Sequence, residues 1–336
     1  MIFFFQITFI SFTIFFISKY FLKKKNILIT KISNPHQKLA GTKDILQIGG
    51  IIFLFNIIFF HVYFSSSEII FFSLLLILGI LSDTDIFPSP KKRLILQSLL
   101  VFIFVYINEI HIDDLKIEFL NLILLNDYIK YFFITFCILV LLNGSNFIDG
   151  CNGLNIGYFL ISLIAIFLLL DQGNISYSKD KIIILLIILF VLLILNFTNF
   201  IYLGDSGAYG ISFIVGITLI DIYMMNKNIS PYFVAIILWY PAFENLFSII
   251  RKKIYNIDAT QPDTSHLHQL LFVLLKKKLT NFNHYNNQLT SVIILSYNFL
   301  TILISTNYYS HTKILVTILI FNISIYLISY ILLKKA

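Results

Sequence analysis

The sequence predicts an all-α integral membrane protein: a polytopic bundle of about 11 transmembrane helices, N-terminus outside and C-terminus cytoplasmic. Three observations carry that prediction. Hydrophobic residues make up 58% of the chain and charged residues only 12%, with a mean hydropathy of +0.89. Apolar runs of roughly 16–20 residues, about what a helix needs to cross a bilayer, recur from end to end. Lys and Arg gather in alternate connections, 17 of 24 falling in 23–43, 91–93, 251–278 and 334–335. The positive-inside rule makes those connections cytoplasmic.

The elements follow in order. A first span over 2–22 lacks a basic leader and ends at Lys23-Lys24-Lys25, the reverse of a cleavable signal peptide. Spans over 49–64 and 68–81 are joined by a short Ser-rich turn, and a fourth ends near Ile107. An acidic connector, Glu109 to Asp127, leads to a fifth that ends at Asn143. Further spans cover 156–170, then stretches ending at Asn196 and Met225, then 232–250, 289–306 and 313–333. The whole chain, 1–336, reads as one membrane domain, with cytoplasmic loops at about 23–46, 82–93, 143–155, 196–207 and 251–288.

Several classes are excluded at once. No P-loop, dinucleotide fingerprint, zinc-ligand spacing or fixed-period repeat is present. Cys137 and Cys151 form no disulfide framework. The net charge of +7 follows the topology and calls for no nucleic-acid partner.

Polar motifs supply the chemistry. NPHQK (Asn34–Lys38), LSDTD (Leu81–Asp85), NGSNFIDGCNGL (Asn143–Leu154), YLGDSG (Tyr202–Gly207) and SHLH (Ser265–His268) all fall on the cytoplasmic face, as one shared site requires. Lipid does not tolerate that density of carboxamides and carboxylates. Asp83, Asp149 and Asp205 stand at helix ends beside Ser82, Gly150 and Gly204, small residues that let backbones and carboxylates converge. Converging carboxylates with no Cys or multi-His set suit Mg²⁺, or Mn²⁺, whose common task is to clamp phosphate oxygens. Each Asp taken singly is equally a helix cap or a solvated loop residue. His266 and His268 are placed to donate to a diphosphate, and Tyr202 to stack on a flat base. A surface His pair and an interfacial Tyr are the bland alternatives.

These motifs, in this order, resemble the polyprenyl-phosphate N-acetylhexosamine-1-phosphate transferases, a superfamily within glycosyltransferase family 4. The likeness runs from NPHQK and Gly49-Gly50 through GILSDTDIFPSPKKRLILQ to PAFENLFSIIRKK and PDTSHLHQLL. It implies transfer of a sugar 1-phosphate from a UDP-N-acetylhexosamine to a polyprenyl phosphate such as undecaprenyl phosphate, with release of UMP. It further implies Mg²⁺ at the cytoplasmic face of a bacterial plasma membrane, contact with membrane lipids, and a homodimer as an open arrangement. Carried over residue by residue, the likeness gives Asp83, Asp149, Asp205 and His266 catalytic roles and makes the three aspartates the metal ligands. Lys38, Asn146, Asn152, Asn196, Tyr202, His266 and His268 become substrate contacts.

The sequence departs from the family pattern at Ser82, where a first Asp of an adjacent pair is usual, at Asn152, where Asp is commoner, and at Glu244. HLH in place of consecutive histidines favours the GlcNAc-1-phosphate branch over the phospho-N-acetylmuramoyl-pentapeptide transferases. A transporter and an inactive homologue stay open as other classes.

Overall fold

The computed structural model describes residues 2–25, 27–29, 45–87, 89–258, 261, 264–279 and 285–335. Within them the chain is almost entirely helical: ten of the eleven expected spans each fall on one helix, and 232–250 falls on two helices joined by a sharp bend. Helix α1 (Ile2–Lys25) is followed by a two-residue strand, β1 (Leu46–Gln47), and a short helix, α2 (Gly49–Phe59). Next come α3 (Ser66–Asp83), α4 (Pro90–Ile107), a single-turn connector helix α5 (Glu118–Ile123) and α6 (Asp127–Ile148). Then α7 (Leu154–Asp171), α8 (Lys179–Phe197), strand β2 (Ile201–Tyr202) and α9 (Gly204–Met225). The chain closes with α10 (Pro231–Ile237), α11 (Trp239–Ile254), α12 (Leu267–Lys278), α13 (Asn286–Thr306) and α14 (Thr312–Lys335).

Among the described residues, eight helices are long and apolar enough to cross a membrane, and nine if α10 and α11 form one broken span. The other two expected spans are α2, with 11 residues, and α4, whose first turn carries Lys91, Lys92 and Arg93. Two expected loops are shorter than the sequence suggested. Helix α6 runs on through the polar Asn143–Ile148, leaving 149–153 as the turn, and α12 occupies the middle of the 251–288 connection. A polar residue does not end a helix when neighbouring helices satisfy it: Asn143 donates to the Leu139 carbonyl and to Gln97.

Helix α9 is the axis of the bundle and is buried along nearly its whole length. Small residues let its neighbours close on it. A side chain at Gly50 would meet the backbone of Ser206 and Gly207, and one at Gly79 would meet Asp205 and Ser206. These contacts fix the first turn of α9 against α2 and α3, at the end of the bundle where the polar motifs lie.

The 78° bend between α10 and α11 has a backbone cause. Pro241 has no N–H to offer the Ile237 carbonyl, and Ser162 of α7 donates to that carbonyl instead, at 2.7 Å. The Tyr240 N–H, freed by the same break, donates to the Tyr158 hydroxyl. Side chains of a packed neighbour thus satisfy the broken helix where water is scarce.

Candidate active site

The site is built on the first turn of α9. Leu203 cannot cap it, and carboxylates from elsewhere in the chain do so. Asp83, the last residue of α3, accepts from the N–H groups of Asp205 (2.9 Å) and Ser206 (3.2 Å). Asp149, in the α6–α7 turn, accepts from the Gly204 N–H. Helix N-termini carry unsatisfied donors and partial positive charge, so two acidic groups are stable there. Gly204 makes the approach possible: its φ is +72°, and a Cβ would lie 2.7 Å from an Asp83 oxygen. Burial first, and the nearby Asp205 and Asp83 charges next, push the Asp149 carboxyl well above its ordinary value of 3.8.

The Asp205 side chain turns to another set of partners. Its Oδ2 accepts from Ser82 Oγ at 2.5 Å, from Arg93 Nη1 at 2.7 Å and from the Tyr209 hydroxyl at 3.4 Å. Arg93 also donates to Ser82 Oγ. Ser82, where the family pattern carries an acid, is here a neutral bridge between an arginine and an aspartate.

Carboxamides hold the 149–153 turn. Gly153, with φ +82°, donates its N–H to Asn196 Oδ1 at 2.6 Å, and Asn196 Nδ2 donates to the Ile201 carbonyl. Asn152 donates its N–H to Asn287 Oδ1 and its Nδ2 to Asn199 Oδ1. Just beyond, Leu46 and Gln47 of β1 pair in parallel with Ile201 and Tyr202 of β2, fixing the strand that leads into Gly204.

On the far side of the turn stands a histidine wall. Glu244 of α11 is fully buried; its Oε2 meets His266 Nδ1 at 2.9 Å and its Oε1 accepts from the Leu267 N–H. Gln269 Oε1 accepts the His266 N–H, which starts α12. The His266 and His268 rings stack 5.7 Å apart, and His266 lies 4.9 Å from the Phe147 ring. Gly150 leaves space beside His268, whose Nε2 would be 2.8 Å from a Cβ there. The one turn therefore touches the α9 carboxylates through Asp149 and the histidines through Gly150.

Of the residues expected at the site, the structure gathers Asp83, Asp149, Asp205, His266 and His268. Asn146, half-buried, lies one turn before Asp149, and Tyr202 is half-buried in β2. Asn152 and Asn196 are buried, and their side chains brace the turn. Lys38 and NPHQK lie outside the described residues. Arg93 went unremarked in the sequence because it sits in a basic run that topology already explains. Asn199 and Asn287 carry no motif signal.

Among the described residues no three His, Cys, Asp or Glu side chains stand close enough to enclose a metal ion. The donor chemistry nevertheless fits a hard cation: three carboxylates around one helix turn, with no sulfur ligand. Arg93 and Ser82 cover one oxygen of Asp205, Oδ2.

Fold and site together define a polytopic α-helical membrane protein with a carboxylate cluster and a histidine wall at one end of its bundle. Residues 65–223 match glycosyl transferase family 4, a segment that holds Asp83, Arg93, Asp149, Tyr202 and Asp205. The chain is 28% identical over 206 residues to a protein of Bacillus subtilis (strain 168) named as a probable undecaprenyl-phosphate N-acetylglucosaminyl 1-phosphate transferase. That match covers 59% of this chain and 55% of the relative, so the chain spans about half the relative's length.

Proposed function

We propose that this protein transfers N-acetylglucosamine 1-phosphate from its UDP-sugar to undecaprenyl phosphate, releasing UMP, at the cytoplasmic face of a bacterial plasma membrane. The product is the lipid-linked starting sugar of a cell-surface polysaccharide, lipopolysaccharide among them. The observation that carries this reading is the convergence of Asp83, Asp149 and Asp205 on the first turn of α9, with Arg93 beside them. The distribution of Lys and Arg supports the cytoplasmic placement.

In this reading a lipid-phosphate oxygen attacks the sugar-side phosphorus of the diphosphate. The new P–O bond forms as the bond to the bridging oxygen breaks, and UMP leaves with that electron pair. Positioning and charge neutralisation do most of the work in such a transfer. Asp205, with Asp149 and Asp83, would hold Mg²⁺ or Mn²⁺, which supplies neutralisation of the diphosphate charge. Asp83 has both oxygens fixed by α9 amides, and its remaining lone pairs orient the incoming nucleophile or take its proton. His266, locked by Glu244, donates to the diphosphate from its other ring nitrogen. In this reading the diphosphate bridges that wall and the carboxylates.

The test is UMP release by purified protein in lipid with undecaprenyl phosphate, Mg²⁺ and a panel of UDP-sugars that includes the N-acetylmuramoyl-pentapeptide form. Release with UDP-N-acetylglucosamine, lost in Asp205→Asn, is the expected result. Release only with the pentapeptide substrate moves the protein to that branch, and no release from any sugar refutes the enzymatic reading.

A further inference from the structure

We infer that Arg93 is a latch on Asp205: it holds the carboxylate while no substrate is bound, and the nucleotide-sugar diphosphate draws it off, so that the divalent cation and the nucleotide sugar bind together. The inference rests on the reading of Asp205 as a cation ligand.

Arg93 lies in the first turn of α4, and one guanidinium nitrogen reaches both Asp205 Oδ2, at 2.7 Å, and Ser82 Oγ. Ser82 and Tyr209 donate to the same carboxylate oxygen. An oxygen engaged by three donors, one of them cationic, is closed to a dication, because the guanidinium and the metal ion would repel at contact distance. Both side chains are about four-fifths shielded from water, 19% exposed for Arg93 and 22% for Asp205, so solvent does little to soften that competition.

The hold is nonetheless incomplete. Arg93 meets Asp205 through a single nitrogen rather than the two-pronged fork that guanidinium and carboxylate favour. Its Nε–H is buried with no acceptor among the described residues. A buried donor without a partner marks a side chain that a further acceptor would suit, and phosphate oxygens match the guanidinium fork. A diphosphate arriving beside α9 can satisfy Arg93 more fully than Asp205 does, and in taking Arg93 it uncovers the carboxylate. Ser82 contributes by being neutral: it relays the arginine to Asp205 without offering a carboxylate of its own.

The test measures Mn²⁺ binding to the purified full chain by electron paramagnetic resonance, with and without UDP-N-acetylglucosamine and without lipid phosphate, so that nothing turns over. In the wild type, nucleotide sugar should tighten Mn²⁺ binding by about 5-fold or more. Arg93→Gln should bind Mn²⁺ tightly without nucleotide and lose that coupling. Ser82→Asp, which gives the guanidinium another carboxylate, should shift binding the same way and guards against a folding defect in the first variant. Unchanged Mn²⁺ affinity and unchanged coupling in both folded variants would overturn the latch while leaving the cation site intact. Absence of Mn²⁺ binding in every variant, nucleotide present, would instead overturn the cation assignment and the latch with it.

Discussion

Oε2 of Glu244 lies 2.9 Å from Nδ1 of His266, and both side chains are buried where α11 meets the start of α12. The same carboxylate accepts from the Leu267 N–H and the Tyr240 hydroxyl. It therefore sets both the ring orientation of His266 and the entry of the chain into α12. Glu244→Gln, which keeps the shape and removes the charge, should lower UMP release by about 10- to 100-fold with the fold retained. Glu244→Ala should also cost about 1–3 kcal/mol for each donor left unpaired, read by thermal unfolding in detergent.

Gly79 is where α3 passes closest to α9. A Cβ there would fall 2.5 Å from the Ser206 nitrogen, and backbone cannot swing aside as a side chain can. Gly79→Ala should push the α9 first turn away from Asp83, lowering stability by about 3 kcal/mol or more and abolishing turnover. An active, wild-type-stable Gly79→Ala protein would show that the α3–α9 approach is looser than the structure has it.

Asp149 predicts a pH dependence. Its folded pKa is raised by burial, and then by Asp205 and Asp83, above the ordinary 3.8. Folding therefore favours the protonated form. The stabilisation is full below about 4 and is lost as pH rises through the interval up to the folded pKa. In metal-free buffer, thermal stability should fall with rising pH over that interval. Asp149→Asn should flatten the slope, and an identical slope in that variant would show that other groups set it.

At the opposite end of the bundle, Lys181 Nζ meets Glu68 Oε1 at 2.8 Å, both buried, with the ammonium 5.1 Å from the Phe64 ring centre. Glu68 also accepts from the Ser65 N–H in the cap that starts α3. Removing one partner strands a buried charge. Lys181→Met should cost about 3–5 kcal/mol, and Glu68→Gln in the same chain should recover much of it. Turnover per folded molecule should be unaffected, since the pair lies far from the carboxylate cluster.

Much of this was legible in the residues. Apolar runs gave the segments that fold as helices, because a backbone in lipid must close its own hydrogen bonds and a helix does so locally. The polar motifs announced Asp83, Asp149, Asp205 and the two histidines by their contrast with hydrocarbon. Other features were not legible. Asn152 and Asn196 carry motif signals, yet their side chains brace a turn; a carboxamide offers the same atoms to a ligand or to a neighbouring backbone, and only its surroundings decide. Lys181 stands in no motif, and the structure buries it against a glutamate 113 residues away.

The sequence by itself determined the membrane class, the order of the apolar segments that fold as helices, and the chemistry gathered in the polar motifs, since each follows from local composition and period. Tertiary structure alone decided that Asp83 caps α9, that Ser82 joins Arg93 to Asp205, and that Glu244 orients His266. Those pairings join residues from 11 to 123 positions apart. No local preference brings them together. Close packing of glycine-faced helices does, by carrying distant helix ends into one small polar space.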